Sequence, residues 1–502
     1  MFKHSHRIFK MSLTILVIIT SIYSSTLHTL YNQNPVAEAS SQKTCNWKWR
    51  VVPSPNSGTK NNSLRGLVTI GANDIWAVGM ASGANDSSHT LIEHWDGETW
   101  SIVPSPSANT GSSILLDISA IDASDIWAVG YVYENFEFRA LLEHWDGSAW
   151  SMVTPALDLN NVTLRGVAAI ASDNVWAVGG QTSGSNTPNH PLVLHWDGTE
   201  WIKVQVLDPS PYGYLNGIVA LGADNIWAVG AYTDDAPPAV GNTLVMHYDG
   251  LAWNQVPSPN KYPGQHDNGL LSVAASTDAN VWAVGFHRII HPGPIMFELI
   301  EQWDGTEWAL GPGAFDDKYV TKTNSIAVAS SGEVWVVGQN RTALIEYRDD
   351  GVWKDVSPNN GYSELFDVAT VDANRVWAVG HIPTGLSQMQ TLIIQGRLQC
   401  SQPVQCLDAP VLLDPKPGMV VNSIQVRLDW KDQRCATHYQ VQVRQKSPQG
   451  KVELREKRDR VSEYMFSRSS LDSPNRFVWR VRACNQQGCG EWSEWSKFNL
   501  QS

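Results

Sequence analysis

The stretch NDIWAVG, Asn73 to Gly79, decides how the rest of the chain reads. It returns six more times, carrying its tryptophan at Trp127, Trp176, Trp227, Trp282, Trp335 and Trp377. Counted from Trp76, the steps are 51, 49, 51, 55, 53 and 42 residues. An apolar run such as LRGLVTI (Leu64 to Ile70) precedes each copy, and a segment such as LIEHWDGETWSIVPSP (Leu91 to Pro106) follows most of them. Each unit therefore holds four short β-type runs separated by turn residues.

That period and that count of strands are those of a β-propeller blade and not of a helical solenoid. The fold class expected is all-β: a seven-bladed β-propeller closed by an N-terminal strand, with a further β module behind it. The organisation expected is a signal peptide over 1–39, the propeller over 40–398, a linker over 399–408 and the second module over 409–502. In the first blade the strands, a to d from the inside of the ring outward, fall at about 64–70, 75–79, 90–95 and 99–104. Strands a and b read as almost unbroken apolar runs, so both their faces are expected to be buried.

Between strands c and d stands WDGETW (Trp95 to Trp100), and its form returns from Trp145, Trp196, Tyr248 and Trp303, and as DDGVW from Asp349. Glycine accepts the positive φ of a tight hairpin and the aspartate can bond its own turn, so these carboxylates are turn formers. The seventh copy is missing after TLIIQ (Thr391 to Gln395). WKWRVVPSP (Trp47 to Pro55) matches ETWSIVPSP (Glu98 to Pro106) at the other end of the chain. The N-terminal segment is thus expected to complete the last blade. Laid on that template, Trp49 aligns with Trp100, and Cys45 and Cys400 fall where the missing turn would lie. A Cys45–Cys400 disulfide is expected in its place, worth roughly 5–6 kcal/mol in the chain-entropy picture.

Charge is divided unevenly. Residues 40–396 carry 16 Lys/Arg against 37 Asp/Glu, a net of −21, whereas residues 397–502 carry 17 against 11, a net of +6. So acidic a propeller repels a phosphate backbone, and nucleic acid is excluded as its partner. The chain starts with Lys3, Arg7 and Lys10, an apolar core from Ser12 to Tyr23, and VAEAS, with cleavage expected after Ala39. The protein is read as secreted, with membrane attachment only if this segment stays uncleaved. Six cysteines fit an exported chain. The sequence is silent on oligomeric state.

From Ala409 the pattern becomes APVLLDPKPG, SIQVRLDW, THYQVQVRQK and RFVWRVRACNQQGCGEWSEWSKF. Through the early prolines, Trp430, Tyr439, the run from Trp479 and the closing GEWSEWS, this part resembles a fibronectin type III domain. The last motif is similar to the WSxWS box of cytokine receptor modules. That likeness implies a cation–π stack of Arg480 and Arg482 with Trp492 and Trp495. Cys484 and Cys489 would close the last hairpin, and Cys406 would pair with Cys435. The whole chain resembles exported bacterial proteins with a WAVG/HWDG-type propeller.

His94, His144, His195 and His247 occupy one position of the repeat, with Gln302, Glu346 and Gln395 expected at the others. Positions repeated around the outside of a ring are held apart, so they are read as hydrogen-bonding and not as metal ligands. The repeated tryptophans are read as packing between blades. HWDGETW is similar to the Asp-box of sialidases, in which the box is structural, but departs from it by placing Asp and Gly side by side.

Strand parity puts the b–c and d–a loops on one face, and these differ in every unit. That face holds the binding candidates Tyr131, Tyr133, Phe136, Phe138, Tyr212, Tyr232, Tyr262, His287 and Tyr319. Exposed aromatics among acids and amides suit an extracellular glycan or protein. No catalytic residue and no cofactor is assigned. The acids Asp234, Asp235, Asp316 and Asp317 are a candidate for structural Ca²⁺ or for acid/base work. The expected function is non-enzymatic recognition or scaffolding, with a secreted carbohydrate-active hydrolase or lyase as the alternative.

Overall fold

A computed structural model describes residues 45–502 except 84–86, 183–188, 207–211, 234–239, 290–294, 312–321, 359–360, 386–387, 401–407, 422–424, 434–435, 450–451, 459–462, 468–475, 486–487 and 501–502. The chain divides into Met1–Thr44, outside the described residues, and Cys45–Ser502. Every regular element among the described residues is a β-strand. No helix there is long and apolar enough to cross a membrane.

Seven four-stranded sheets carry the repeats. In the first, strand a is Asn62–Gly71, b is Asp74–Ser82, c is Ser88–Trp95 and d is Trp100–Ile102, all antiparallel. The other a strands are Ser112–Asp122, Val162–Ala171, Tyr212–Gly222, His266–Thr277, Lys322–Val328 and Glu364–Asp372. Each packs on the a strand of the next sheet, and that of the seventh packs on that of the first. The a strands are therefore the inner ones.

In every a strand the register slips by one residue near its start, between Leu64 and Gly66 and at the equivalent places in the other six. Such a bulge leaves one residue unpaired and re-aims it. The expectation that both faces of strand a are buried fails at this residue, which leaves the ladder, and also along the second half of the strand, where Val68 to Gly71 of the first sheet are only half-buried. The bulge also explains the last letter of WAVG: a Cβ on Gly79 or Gly130 would lie 2.0 or 1.9 Å from the carbonyl oxygen of Ser63 or Ile114. Only glycine lets the backbones approach so closely.

Tryptophans join sheet to sheet. Trp76 of the first sheet lies 5.0 Å from Trp145 and 5.8 Å from Trp150 of the second, measured between ring centroids. The pattern repeats around the ring and ends with Trp377 of the seventh sheet at 5.0 and 5.6 Å from Trp95 and Trp100 of the first. Each cluster buries apolar area while keeping the tilted geometry that aromatic rings prefer. The indoles do not form an exposed stacking surface.

The d strand of the seventh sheet is Cys45–Val51, paired with Gln388–Cys400. Trp49 packs on Trp335 at 5.9 Å, the place that Trp100 takes against Trp377. The two strands run past the level of the missing turn, so that Cys45 and Cys400 stand opposite each other in an extended ladder and not in a turn. Cys45 is disulfide-bonded.

Residues 412–500 form a sandwich. One sheet holds Leu412–Asp414, Gln425–Trp430 and Glu463–Ser467, and the other is built around Arg476–Asn485 and His438–Gln445. Trp430, Tyr439, Phe466, Phe477, Trp479 and Phe498 fill its core. Cys484 and Cys489 are joined by a disulfide. The guanidinium of Arg480 lies 4.5 Å from the Trp492 ring and 4.4 Å from Trp495, and that of Arg482 lies 4.6 Å from Trp492. Cys406 and Cys435 lie outside the described residues. Ser330, in the a–b turn of the sixth sheet, donates to Asp432 at 2.8 Å, so this contact is made on the side opposite the variable loops.

Candidate functional site

The repeated histidines are hydrogen-bonded side chains. His94 Nε2 lies 2.8 Å from Asp74 Oδ1 and His144 Nε2 lies 2.8 Å from Asp125 Oδ1, while His195 and His247 meet Asn174 and Asn225 at 3.0 and 2.9 Å. The same acceptors take the indole N–H of Trp76 and Trp176. In the sixth sheet Tyr347, not Glu346, stands opposite the b-strand tryptophan, Trp335. Glu346 instead takes the buried position held elsewhere by Glu93, Glu143 and Glu301.

The aromatic candidates separate into groups. Tyr131, Tyr133, Phe136 and Phe138 lie on one b–c hairpin of the second sheet, with Phe138 at 5.2 Å from Tyr131 and 4.9 Å from Tyr133. At its tip Asn135 and Phe136 both have positive φ, 54° and 66°, the two-residue turn in which glycine or asparagine is usual. Phe136 is 92% exposed there. In the fifth sheet Tyr262 is exposed and lies 5.9 Å from His287, but His287 itself is buried, stacked on Phe297 at 4.8 Å. Its interior packing removes it from any contact surface. Tyr212 and Tyr232 are half-buried on strands a and b of the fourth sheet. Tyr319 and the acids Asp234, Asp235, Asp316 and Asp317 lie outside the described residues.

Sequence reading placed the inner strands but missed the side chains that their bulges set apart. The unpaired residue of each bulge is Arg65, Leu116, Arg165, Asn216, Leu271, Asn324 or Phe366. Arg65 lies with its guanidinium 3.8 Å from the Phe366 ring centre, and Arg165 lies 4.8 Å from that of Tyr214. Arg165 also donates to Asn216 Oδ1 at 2.9 Å. Both arginines have their pKa lowered by burial, opposed by Glu364 and Tyr131 for Arg65 and by Tyr214 and Tyr131 for Arg165. Tyr131, whose phenol burial raises, is drawn down again by the same two guanidinium groups. It thus connects the exposed hairpin to the inner cluster.

Beside them Lys322 pairs with Glu364 at 2.9 Å. Burial works against the Glu364 carboxylate, but Lys322 and Asn324 hold its pKa below the ordinary value. His381 is pushed down by burial and by Arg65, and its Nδ1 lies 3.1 Å from Ser63 Oγ. The bulges lie near the start of each a strand, so this cluster faces the variable-loop side. The signal in the sequence was the arginine inside LRGLVTI and LRGVAAI, a charge at one fixed place of an apolar run.

One residue further along, Asp117 and Asp367 occupy a place that glycine or serine fills in the other five a strands. Asp117 Oδ2 accepts from Val167 N–H of the next sheet at 2.8 Å, and Asp367 Oδ2 from Leu67 N–H at 2.6 Å. Burial first, then Asp367, raises Asp117 to about 7, and burial raises Asp367 to about 6. Two interacting carboxylates that are both raised by burial are a motif that acid/base sites also use. Here each also ties its sheet to the next.

These sheets define an all-β protein of propeller-like fold. The chain matches no described protein family and no curated protein sequence. It is similar in structure to YCF48 bound to D1 peptide, at 16% identity, TM-score 0.37, over 59% of this chain and 97% of that one. It is also similar to the GH93 α-L-arabinofuranosidase of Fusarium graminearum in complex with arabinobiose, at 11% identity, TM-score 0.44, over 69% and 97%. A third is the PL25 ulvan lyase bound to -[GlcA(1-4)Rha3S]-, at 11% identity, TM-score 0.45, over 68% and 95%.

Proposed function

We propose that the protein is a secreted, non-enzymatic recognition protein whose loop face binds an extracellular glycan or protein. In this reading the seven sheets are the blades of a closed propeller, with Cys45 bridged to Cys400. The C-terminal sandwich is of fibronectin type III kind, and residues 1–39 are a signal peptide. The observation that carries the proposal is the hairpin of the second sheet. Its exposed aromatics run from Phe136 at the tip down to Tyr131, which lies in the field of Arg65 and Arg165. The opposite face carries the repeated Asp-Gly turns and the sandwich contact, and so offers little that is particular to a ligand.

The test is a glycan-array screen of the mature protein beside a variant with Tyr131, Tyr133, Phe136 and Phe138 changed to alanine. Binding of a defined sugar that the variant loses supports the reading. If neither the array nor an extracellular-protein panel yields a hairpin-dependent ligand, the reading fails.

A second reading, a carbohydrate-active enzyme, is favoured by the raised pair Asp117 and Asp367. Against it, both carboxylates are already hydrogen-bonded, Asp117 to Val167 and Ile118, and Asp367 to Leu67, Val368 and Ser325. Any sugar captured by the array is therefore incubated with the protein and with Asp117→Asn. Turnover that disappears in the variant would replace the recognition reading by the enzymatic one.

A further inference from the structure

Nothing in the fold requires a cation at the bulge of the a strand. Leu116 and Leu271 take that place in the second and fifth sheets, and Asn216 and Asn324 in the fourth and sixth. Arginine at Arg65 and Arg165 is thus an addition to the architecture, and an unfavourable one in isolation. A half-buried guanidinium loses hydration that only an anion or several acceptors restore. Among the described residues, neither Arg65 nor Arg165 has a carboxylate within ion-pair distance. The Nε of Arg65 is buried with no acceptor. The one carboxylate in their field, Glu364, is engaged by Lys322 and Asn324. The cluster then holds three cations, Arg65, Arg165 and Lys322, with one carboxylate, Glu364, already paired and with Asp117 and Asp367, one position further along the inner strands, bonded to backbone N–H groups. His381 is kept toward its neutral form.

The surroundings fix these cations in place. Phe366 lies under Arg65 and Tyr214 under Arg165, and a guanidinium on an aromatic face still donates from its edge in a plane; on Arg165 one N–H of that edge is taken by Asn216. Tyr131 adds a phenol near both. All of this stands in a segment of net charge −21, so a cationic inner mouth is a local reversal and not a consequence of composition.

We infer that the inner mouth of the loop face, built on Arg65, Arg165 and Tyr131, binds an anionic group, the carboxylate or sulfate ester of an acidic glycan. The inference rests on the recognition reading above and gives its ligand a chemistry: bidentate, charge-assisted donation by the arginines, with the exposed hairpin available to stack on adjoining sugar rings.

The experiment measures binding of oligogalacturonate, dextran sulfate and unmodified dextran to the full protein by calorimetry. The variants are Arg65→Leu and Arg165→Asn, each the residue that the chain itself places at an equivalent bulge. Circular dichroism and the thermal midpoint check that both fold. The expected result is binding of an anionic probe but not of dextran, weakened about tenfold or more by either substitution and by added salt. Oligogalacturonate against dextran sulfate tells carboxylate from sulfate. Equal binding of dextran and the anionic probes, or unchanged affinity in both folded variants, overturns the inference. Failure of both anionic probes overturns it as well, while a neutral sugar or protein held by the aromatic hairpin would still leave the recognition reading standing.

Discussion

Glu143 is the clearest case of a residue that the fold tolerates without using. It is fully buried on the c strand of the second sheet, neither carboxylate oxygen has a protein partner, and burial raises its pKa to about 8. A buried polar group in that condition is destabilising relative to an apolar one of similar shape. The repeat offers the comparison itself, since Leu194 and Met246 fill the same position and are equally buried. Glu143→Met is expected to stabilise the protein by about 1–3 kcal/mol at pH 8. Denaturant unfolding of the two proteins at that pH measures it, and a less stable variant would show that the carboxyl makes a favourable interaction in the folded protein.

At the scale of the element, the decisive piece is the strand Cys45–Val51. It lies more than three hundred residues from its ladder partner in sequence, so no turn holds it there. Its hold comes from the ladder with Gln388–Cys400 and from Trp47 and Trp49 packed on Trp335 at 4.6 and 5.9 Å. A cross-link at the end of that ladder would limit its fraying. Cys45→Ser is expected to lower stability by roughly 2–5 kcal/mol and to make the N-terminal segment the first site of limited proteolysis. Mass mapping of the early fragments checks this. Initial cleavage elsewhere, at the wild-type rate, would argue that the ladder and the aromatic packing alone hold this strand in place.

Over the whole molecule, the buried acids add up in one direction. Glu93 and Glu143 are raised to about 8, Glu301 is raised well above its ordinary value, and Asp117 and Asp367 are raised to about 7 and about 6, in each case chiefly by burial. The folded state therefore holds protons that the unfolded chain releases near pH 4 to 4.5. Their contribution to stability is complete below that unfolded range and is lost as pH rises through the folded values to about 8. The thermal midpoint is expected to fall steadily between pH 5 and pH 8, and the combination of Glu143→Met with Glu301→Met to flatten that fall. A midpoint that rises over the same range in the wild-type protein would contradict the assignment of these glutamates as neutral.

The repeat by itself determined the all-β class, the four strands per unit, the Asp-Gly turns and the N-terminal strand in the last sheet. The first three follow from periodicity and turn chemistry that a single unit displays, and the last from the match of the N-terminal segment to the strand that the final unit lacks. It also determined that the tryptophans pack, because a residue present in every unit serves what every unit shares. What only the tertiary structure decided was the position of the inner site. Arg65 and Arg165 lie about one hundred residues apart inside apolar runs, and a one-residue slip in the ladder, whose sign in the sequence was only the charge itself, turns them out of the sheet. The burial of His287, the exposure of Phe136 and the coupling of Asp117 to Asp367 across the intervening first sheet were decided in the same way. The physical reason is common to them: which side chains meet around the axis depends on how successive sheets pack, and that is set by contacts some fifty residues and more apart in the chain.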